Sequence, residues 1–184
     1  QKYVLAGDHW QLPPTVLSYE AARMGLNHSI LELSMATVKN VFLLNTQYRM
    51  REVIAGFSGK YFYEGLLRTA AHLSNNGVHI SFIDTAGSGF NEIHGNDGSS
   101  LQNEGELHIA LKLIETEGLN PLQTAFISPY AGQVAAAKEI LPSQMRISTI
   151  DSFQKKKKEI ILLSLVRSND EGDIGFLKDY RRMN

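Results

Sequence analysis

An α/β fold, built on a largely parallel sheet with helices on its faces, is what the sequence predicts, and three features predict it. From Gly77 onward, strand-like and helix-like segments alternate, the pattern of a parallel sheet with crossover helices. Residues 160–166, Ile-Ile-Leu-Leu-Ser-Leu-Val, are a nearly unbroken apolar run bounded by charges, which suits a strand covered on both sides. Polar clusters at residues 7–11, 46–49, 128–130 and 149–154 each follow a predicted strand. Ligands of such sheets gather at the carboxyl ends of strands, so the four clusters point to one shared site.

Taken in order, residues 3–6 predict a short strand ending at Gly7-Asp8, and Pro13-Pro14 close the polar loop after it, since proline fits neither mid-helix nor mid-strand. Helical stretches follow at 16–24 and 29–35. Ser29 is placed to cap the second, with Glu32 in capping-box register. Residues 41–44 predict a strand that gives way to Asn45-Thr-Gln-Tyr-Arg-Met50. Val53, Ile54, Phe57, Tyr61 and Phe62 recur at helical spacing, so 51–63 is an amphipathic helix ended by Gly65. A strand is expected at 78–83. The Gly-, Ser- and Asn-rich stretch 84–103 is expected to be a functional or mobile loop, because so long a segment without periodicity is unusual inside a compact domain. Leu107, Ala110, Leu111 and Ile114 mark a helix ended by Gly118. A strand at 124–127 and a helix over 130–141, stopped by Pro142, come next. The chain then reads as strand, polar turn, strand: Ile147 to Ile150, a turn with Thr149, Asp151, Ser152, Gln154 and Lys155 to Lys158, and the run 160–166. Residues 170–175 form a last polar turn.

Composition narrows the function classes. A formal net charge of −1 excludes a polybasic chain, so any nucleic-acid contact is a local patch. The lack of cysteine excludes a disulfide scaffold and a thiolate zinc site, and the six histidines show no metal-ligand spacing, so no metal site is expected. No apolar run approaches the roughly 20 residues of a membrane span, and no signal-peptide pattern opens the chain. An intracellular, cytoplasmic location is therefore expected, with the nucleus open in a eukaryote. Gln1 leads almost directly into a strand and Arg181-Arg-Met-Asn184 closes no element, so the chain is expected to be part of a longer protein.

Individually, the polar residues leave alternatives open. Arg49 follows an apolar strand and stands beside Gln47 and Tyr48. It offers a planar fork to a phosphate, or is a surface arginine at a helix start. Gln11 is placed to orient a water or a phosphate oxygen. The lysines 155–158 suit a phosphate backbone or a solvated loop. Ala86-Gly-Ser-Gly89 lacks the Gly-Lys-Ser/Thr of a phosphate loop, and no Gly-x-Ser-x-Gly elbow occurs.

In combination these residues resemble a known family. Gly7-Asp-His-Trp-Gln-Leu-Pro-Pro14 is similar to motif III of superfamily 1 helicases, Leu44-Asn-Thr-Gln-Tyr-Arg-Met50 to motif IV, and Ser148-Thr-Ile-Asp-Ser-Phe-Gln154 with the strand after it to motif V. Gly175-Phe-Leu and Arg181-Arg-Met-Asn184 resemble the approach to motif VI. Phe82-Ile-Asp-Thr-Ala-Gly-Ser-Gly-Phe90, Asn103 with Glu106, and Ile127-Ser-Pro-Tyr130 with Gln133 resemble the branch holding the nonsense-mediated-decay helicase, closest to the immunoglobulin-mu-binding group.

The resemblance implies a RecA-like fold of the P-loop NTPase type. Residues 1–45 would be the tail of a first motor domain and 46–184 most of the second. It implies ATP and Mg²⁺ between two motor domains, and single-stranded DNA or RNA as partner. Gln11 would sense the γ-phosphate, Asp8 would couple it to the strand-binding surface, Arg49 would be an arginine finger, and Tyr48 would lie near the base, with Gln47 beside them. Ser128, Tyr130, Thr149 and Ser152 would meet the nucleic-acid backbone. The missing P-loop would be supplied by the other motor domain, so the isolated chain is expected to be inactive. Lys155 and Lys157 depart from the family, which has glycine and glutamate there; Lys157 would invert a charge at the nucleotide. A rival expectation is a catalytically dead RecA-like module that binds nucleic acid or a protein partner.

Overall fold

The computed structural model describes residues 2–13, 16–73, 80–95, 98, 100–153, 157–178 and 180–184. It divides into two units, Gln1–Phe82 with Asp179–Asn184, and Ile83–Lys178.

In the second unit the predicted alternation becomes a parallel sheet flanked by helices. Strands β5 (Thr124–Ser128), β6 (Arg146–Thr149) and β7 (Ile160–Leu163) are ordered β6-β5-β7. Ser128 is registered with Thr149, and Ile127 with both Ser148 and Leu163, so the three carboxyl ends lie side by side. Helix α4 (Glu104–Thr116) buries Leu107, Ala110 and Ile114. These meet Phe126 of β5, Ala137 of α5 (Ala131–Ile140), Leu141 and Met145 in one core. Each fully buried leucine or phenylalanine there contributes about 1.5–3 kcal/mol. Gly118 ends α4 at φ 59°, a left-handed position that glycine adopts without penalty. Gly132 is required for a different reason: a Cβ there would lie 2.8 Å from the Leu101 carbonyl, so α5 packs on β4 (Leu101–Gln102) only without a side chain.

Three expectations for this unit need correction. The stretch 84–103 is not one loop, because β3 (Ile93–His94) pairs antiparallel with β4. Its strands are two residues long, too short to print a periodicity. The turn after β6 holds a helical turn, α6 (Ile150–Phe153), so Ile150 leaves the strand. Finally, β7 is not covered on both sides: Ile161 is 44% and Leu163 53% exposed. It is an edge strand, and among the described residues nothing covers that face; β5, in the middle, is the strand buried throughout.

The first unit holds α1 (Tyr19–Ala21), which continues as a π-type segment Ala22–Leu26, and α2 (Ile30–Met35). Helix α1 begins three residues later than the expected 16 because Ser18 caps it, accepting from Ala21 N. Ser29 and Glu32 cap α2 reciprocally, as expected, at 3.1 and 3.2 Å. Helix α3 (Glu52–Phe62) connects β1 (Thr46–Gln47) to β2 (Arg68–Thr69), which pair in parallel. Its inward face is not the large apolar stripe. Ala55, Ser58, Gly59 and Phe62 are buried, while Val53, Ile54, Phe57 and Tyr61 are exposed. Small side chains let the helix approach the chain at Leu67 closely, and that approach selects the face.

The strands expected at 3–6 and 41–44 do not form, nor does one over 80–83; residues 78 and 79 lie outside the described residues. Apolar, β-prone residues favour a strand only where another strand lies alongside.

Candidate functional site

In the first unit the polar loop after Gly7 is fixed around one carboxylate. Asp8 Oδ1 accepts from Trp10 N at 3.0 Å, and Asp8 Oδ2 accepts from Gln11 Nε2 at 2.8 Å and from the Tyr63 hydroxyl at 2.5 Å. Asn184 Nδ2 donates to the Tyr63 hydroxyl at 2.8 Å and to the Trp10 carbonyl at 3.2 Å. The Trp10 ring packs 6.0 Å from Phe62 and 6.4 Å from Tyr180. A Cβ on Gly7 would lie 2.9 Å from Leu31, so the loop's start rests against α2. Burial, the largest cause, pushes the Tyr63 phenol up to about 12; the Asn184 amide opposes the rise and the Asp8 carboxylate adds to it. The phenol is thus neutral, and it is the donor to Asp8. Gln11 itself is exposed.

The second polar turn of this unit is built on Gln47. Its Oε1 accepts from Arg49 N and Met50 N, both at 2.9 Å, while its Nε2 donates to the Met50 carbonyl at 2.7 Å and to Thr69 Oγ1 at 2.8 Å. Both ends of the amide are therefore engaged, and Gln47 shapes the turn. Tyr48 is 66% exposed and stacks on His72 at 6.3 Å. Arg49 is exposed, and its guanidinium has no hydrogen bond or ion pair among the described residues. A backbone held by three hydrogen bonds to the Gln47 amide thus presents an exposed planar cation.

In the second unit the carboxyl ends of β5 and β6 bring Ser128 and Thr149 into register. Their exposure differs. Ser128 is fully buried, its hydroxyl accepting from Tyr130 N at 3.3 Å. The Tyr130 hydroxyl is buried against Gly175, 3.4 Å from where a Cβ would stand. Thr149 Oγ1 donates to Ser152 Oγ at 3.0 Å and accepts from Ser152 N at 3.3 Å, and Ser152 is exposed. Lys157 is exposed, whereas Lys158 Nζ donates to the Leu122 carbonyl. Gln154, Lys155 and Lys156 lie outside the described residues.

Behind these strand ends lies a buried polar network. Asn103 and Gln133, both fully buried, exchange backbone and side-chain bonds at 2.8 and 3.0 Å, and Gln133 Nε2 also donates to Ser164 Oγ at 2.8 Å. Ser164 donates to Glu106 Oε2 at 2.5 Å. Arg167, just past β7, pairs with Glu92 at 3.2 Å and with Asp173 at 2.9 Å. Sequence reasoning had marked Asn103, Glu106 and Gln133 by resemblance alone, without a role. It missed Tyr63, Ser164 and Glu92, whose partners stand far away in the chain. Among the described residues no group of three histidines, cysteines or carboxylates could hold a metal ion, and no helix is long and apolar enough to cross a membrane.

Comparison with known proteins adds an independent line. Residues 26–184 match the AAA domain family. The DNA-binding protein SMUBP-2 of Mesocricetus auratus is 34% identical over 205 residues, taking in 100% of this chain and 21% of that protein. The regulator of nonsense transcripts 1 homolog of Drosophila melanogaster is 32% identical over 206 residues, with 100% and 17% covered. The ATP-dependent helicase NAM7 of Saccharomyces cerevisiae is 32% identical over 208 residues, with 100% and 21% covered. The chain thus spans about a fifth of the length of these relatives.

Proposed function

Because the chain belongs to the AAA domain family, within the superfamily 1 helicases of the nonsense-mediated-decay branch, we propose that it serves as part of an ATP-dependent DNA or RNA helicase. It would couple ATP hydrolysis to movement along single-stranded nucleic acid. Residues 1–45 would close one motor domain and 46–184 form most of the next.

One observation carries the nucleotide half of this proposal: Arg49, a free guanidinium on a turn that Gln47 fixes. The residues present fit the γ-phosphate end of a nucleotide, with Arg49 and Gln11 exposed and offering a cation and an amide. Asp8, its oxygens already accepting three donors, supports Gln11 and leaves metal binding to other residues. ATP bound with Mg²⁺ supplies the phosphoryl group and its neutralising cation. Arg49 would stabilise charge spreading onto that group, and Gln11 would orient the attacking water. Tyr48, exposed beside the turn, would lie near the base, and Lys157 would face the nucleotide with the wrong sign of charge. No Gly-x-x-x-x-Gly-Lys-Ser/Thr run occurs in the sequence. The phosphate cradle would therefore come from another domain, and the chain alone would hydrolyse no ATP.

For the nucleic acid, Thr149 and Ser152 would donate hydroxyls to the backbone, while Ser128 and Tyr130, buried at their hydroxyls, would shape the surface from beneath. Such contacts read no bases, which suits a motor moving along any sequence. Nucleic-acid-stimulated ATPase activity of the full-length protein tests the proposal. Arg49→Ala is expected to lower kcat by about 10³-fold or more. An unchanged rate would leave the chain as a binding module.

A further inference from the structure

Resting on the nucleotide role proposed for Gln11, we infer that Tyr63 is a positioning residue, which holds the Gln11 amide in one orientation through Asp8. An ionised carboxylate only accepts hydrogen bonds. The Gln11 atom that faces Asp8 Oδ2 at 2.8 Å is therefore the amide nitrogen, and the amide oxygen is the end left to accept from solvent. That is the polarity an attacking water needs from its partner, because the oxygen takes one water hydrogen and leaves a lone pair to point at phosphorus.

Asp8 imposes this polarity only while its own rotation is fixed. Trp10 N holds Oδ1 at 3.0 Å, and the Tyr63 hydroxyl holds Oδ2 at 2.5 Å from 55 residues away. The phenol hydrogen has a fixed direction too. The Asn184 amide nitrogen approaches Tyr63 at 2.8 Å as a donor, so the phenol oxygen accepts there and donates to Asp8. Asn184 is itself held by the Trp10 carbonyl at 3.2 Å. Asn184, Tyr63, Asp8 and Gln11 thus form a continuous run of hydrogen-bonded side chains with the exposed Gln11 amide at one end.

Tyr63 also sits where it can relate Gln11 to Arg49. It follows α3 directly, and Arg49 stands two residues before Arg51, the residue at the other end of that helix. Eleven residues of α-helix span about 16 Å. One rigid rod therefore carries the cation at one end and the anchor of the amide at the other. Under the domain boundary proposed above, the Tyr63–Asp8 bond also joins the two motor domains.

The test is a double-mutant cycle on nucleic-acid-stimulated ATPase activity of the full-length protein, reading kcat and KM for ATP. Tyr63→Phe keeps the ring packed and removes the hydroxyl. It is expected to lower kcat about tenfold with KM for ATP within about twofold. In a Gln11→Ala background the same substitution is expected to change nothing further, because its effect runs through the amide. A loss of equal size in both backgrounds would mean a structural role and overturn the inference. An unchanged kcat for Tyr63→Phe, with Gln11→Ala impaired, would overturn it while leaving the Gln11 role intact. A fully active Gln11→Ala would remove that role, and this inference with it. Asn184→Ser, which removes the donor that orients the phenol, is carried through the same cycle with the same expectations and serves if Tyr63→Phe does not fold.

Discussion

Glu106 and Val166, 60 residues apart, are joined by both oxygens of the Glu106 carboxylate, each accepting from Val166 N at 3.1 Å. Val166 is fully buried and has φ 72°, a left-handed backbone that a β-branched residue adopts only under constraint. Such a conformation costs about 1–3 kcal/mol. The constraint is on both sides of the residue, since Asn103 Nδ2 donates to the Val166 carbonyl at 3.2 Å while Glu106 takes the amide. The strained residue immediately precedes Arg167, the hub that pairs with Glu92 and Asp173.

Glu106→Ala is therefore expected to destabilise the fold by about 2 kcal/mol or more, the cost of stranding a buried amide and the Ser164 hydroxyl. Glu106→Gln, which still accepts through its oxygen, is expected to lose less. Urea unfolding of the two variants checks the order, and an Ala variant no weaker than Gln would count against the clamp.

Gln47 invites a parallel experiment with a different outcome. Its amide makes four hydrogen bonds that shape the turn carrying Arg49. Gln47→Ala should cost about 1–2 kcal/mol of stability and should also lower ATPase activity through misplaced Arg49. Arg49→Lys, by contrast, should leave stability unchanged and recover only part of the rate, since lysine keeps the charge and loses the planar fork. Thermal melting and kcat measured on the same samples separate the two effects.

What the sequence made legible, and what it did not, divides by the range of the interaction. The Ser29–Glu32 cap, Gly65 and Gly118 as helix stops, and the helices α3, α4 and α5 are local patterns, and all are present. The strands expected at 3–6 and 41–44 failed because apolar content does not supply a neighbour. The exposed face of β7 was hidden for a related reason: Ile161 and Leu163 are as apolar as any core residue, but among the described residues nothing packs over them. At the candidate site, Asp8, Gln11, Gln47 and Arg49 were marked by short motifs. Tyr63 carries no motif of its own. Its importance comes from a partner 55 residues back, a contact that no local spacing encodes.

Two groups make the stability of the fold depend on pH, and their signs differ. The Tyr63 phenol is raised from 10.0 to about 12, so the folded state favours its neutral form. Its stabilisation is complete below pH 10.0 and is lost as pH rises through about 12. Asp173 is lowered from 3.8 to about 2, first by the hydrogen bond from Lys178 and next by that from Gly175 N. That stabilisation is present above pH 3.8 and is lost as pH falls through about 2. Melting temperature measured across pH should accordingly lose an alkaline step in Tyr63→Phe and an acid step in Lys178→Ala.

The lysine-rich turn yields a gain-of-function prediction. The resemblance to superfamily 1 helicases implies glycine and glutamate where this chain has Lys155 and Lys157, and Lys157 stands exposed before β7. Restoring both residues in the full-length protein should raise nucleotide affinity and nucleic-acid-stimulated ATPase activity, because one change removes a side chain where backbone must approach and the other restores a carboxylate. Titration with a fluorescent ATP analogue reads the affinity; unchanged binding and turnover would show that the lysines lie outside the nucleotide site.

The strand-binding assignment makes the sharpest separation between neighbours in register. Thr149 and Ser152 have hydroxyls on each other at the end of β6, with Ser152 exposed, while Ser128 beside them is fully buried. Thr149→Ala with Ser152→Ala should weaken binding of a single-stranded oligonucleotide about threefold to tenfold, by a similar factor for every base sequence, since backbone contacts carry no sequence information. The salt dependence should stay nearly the same, because no cation is removed. Ser128→Ala should instead lower stability by about 1 kcal/mol, through loss of the bond from Tyr130 N, and leave affinity unchanged once the folded fraction is accounted for. Fluorescence anisotropy with two oligonucleotides of different sequence, run beside urea unfolding, distinguishes these outcomes. A Ser128→Ala variant that binds more weakly than the Thr149 and Ser152 pair would place the strand against β5 rather than β6.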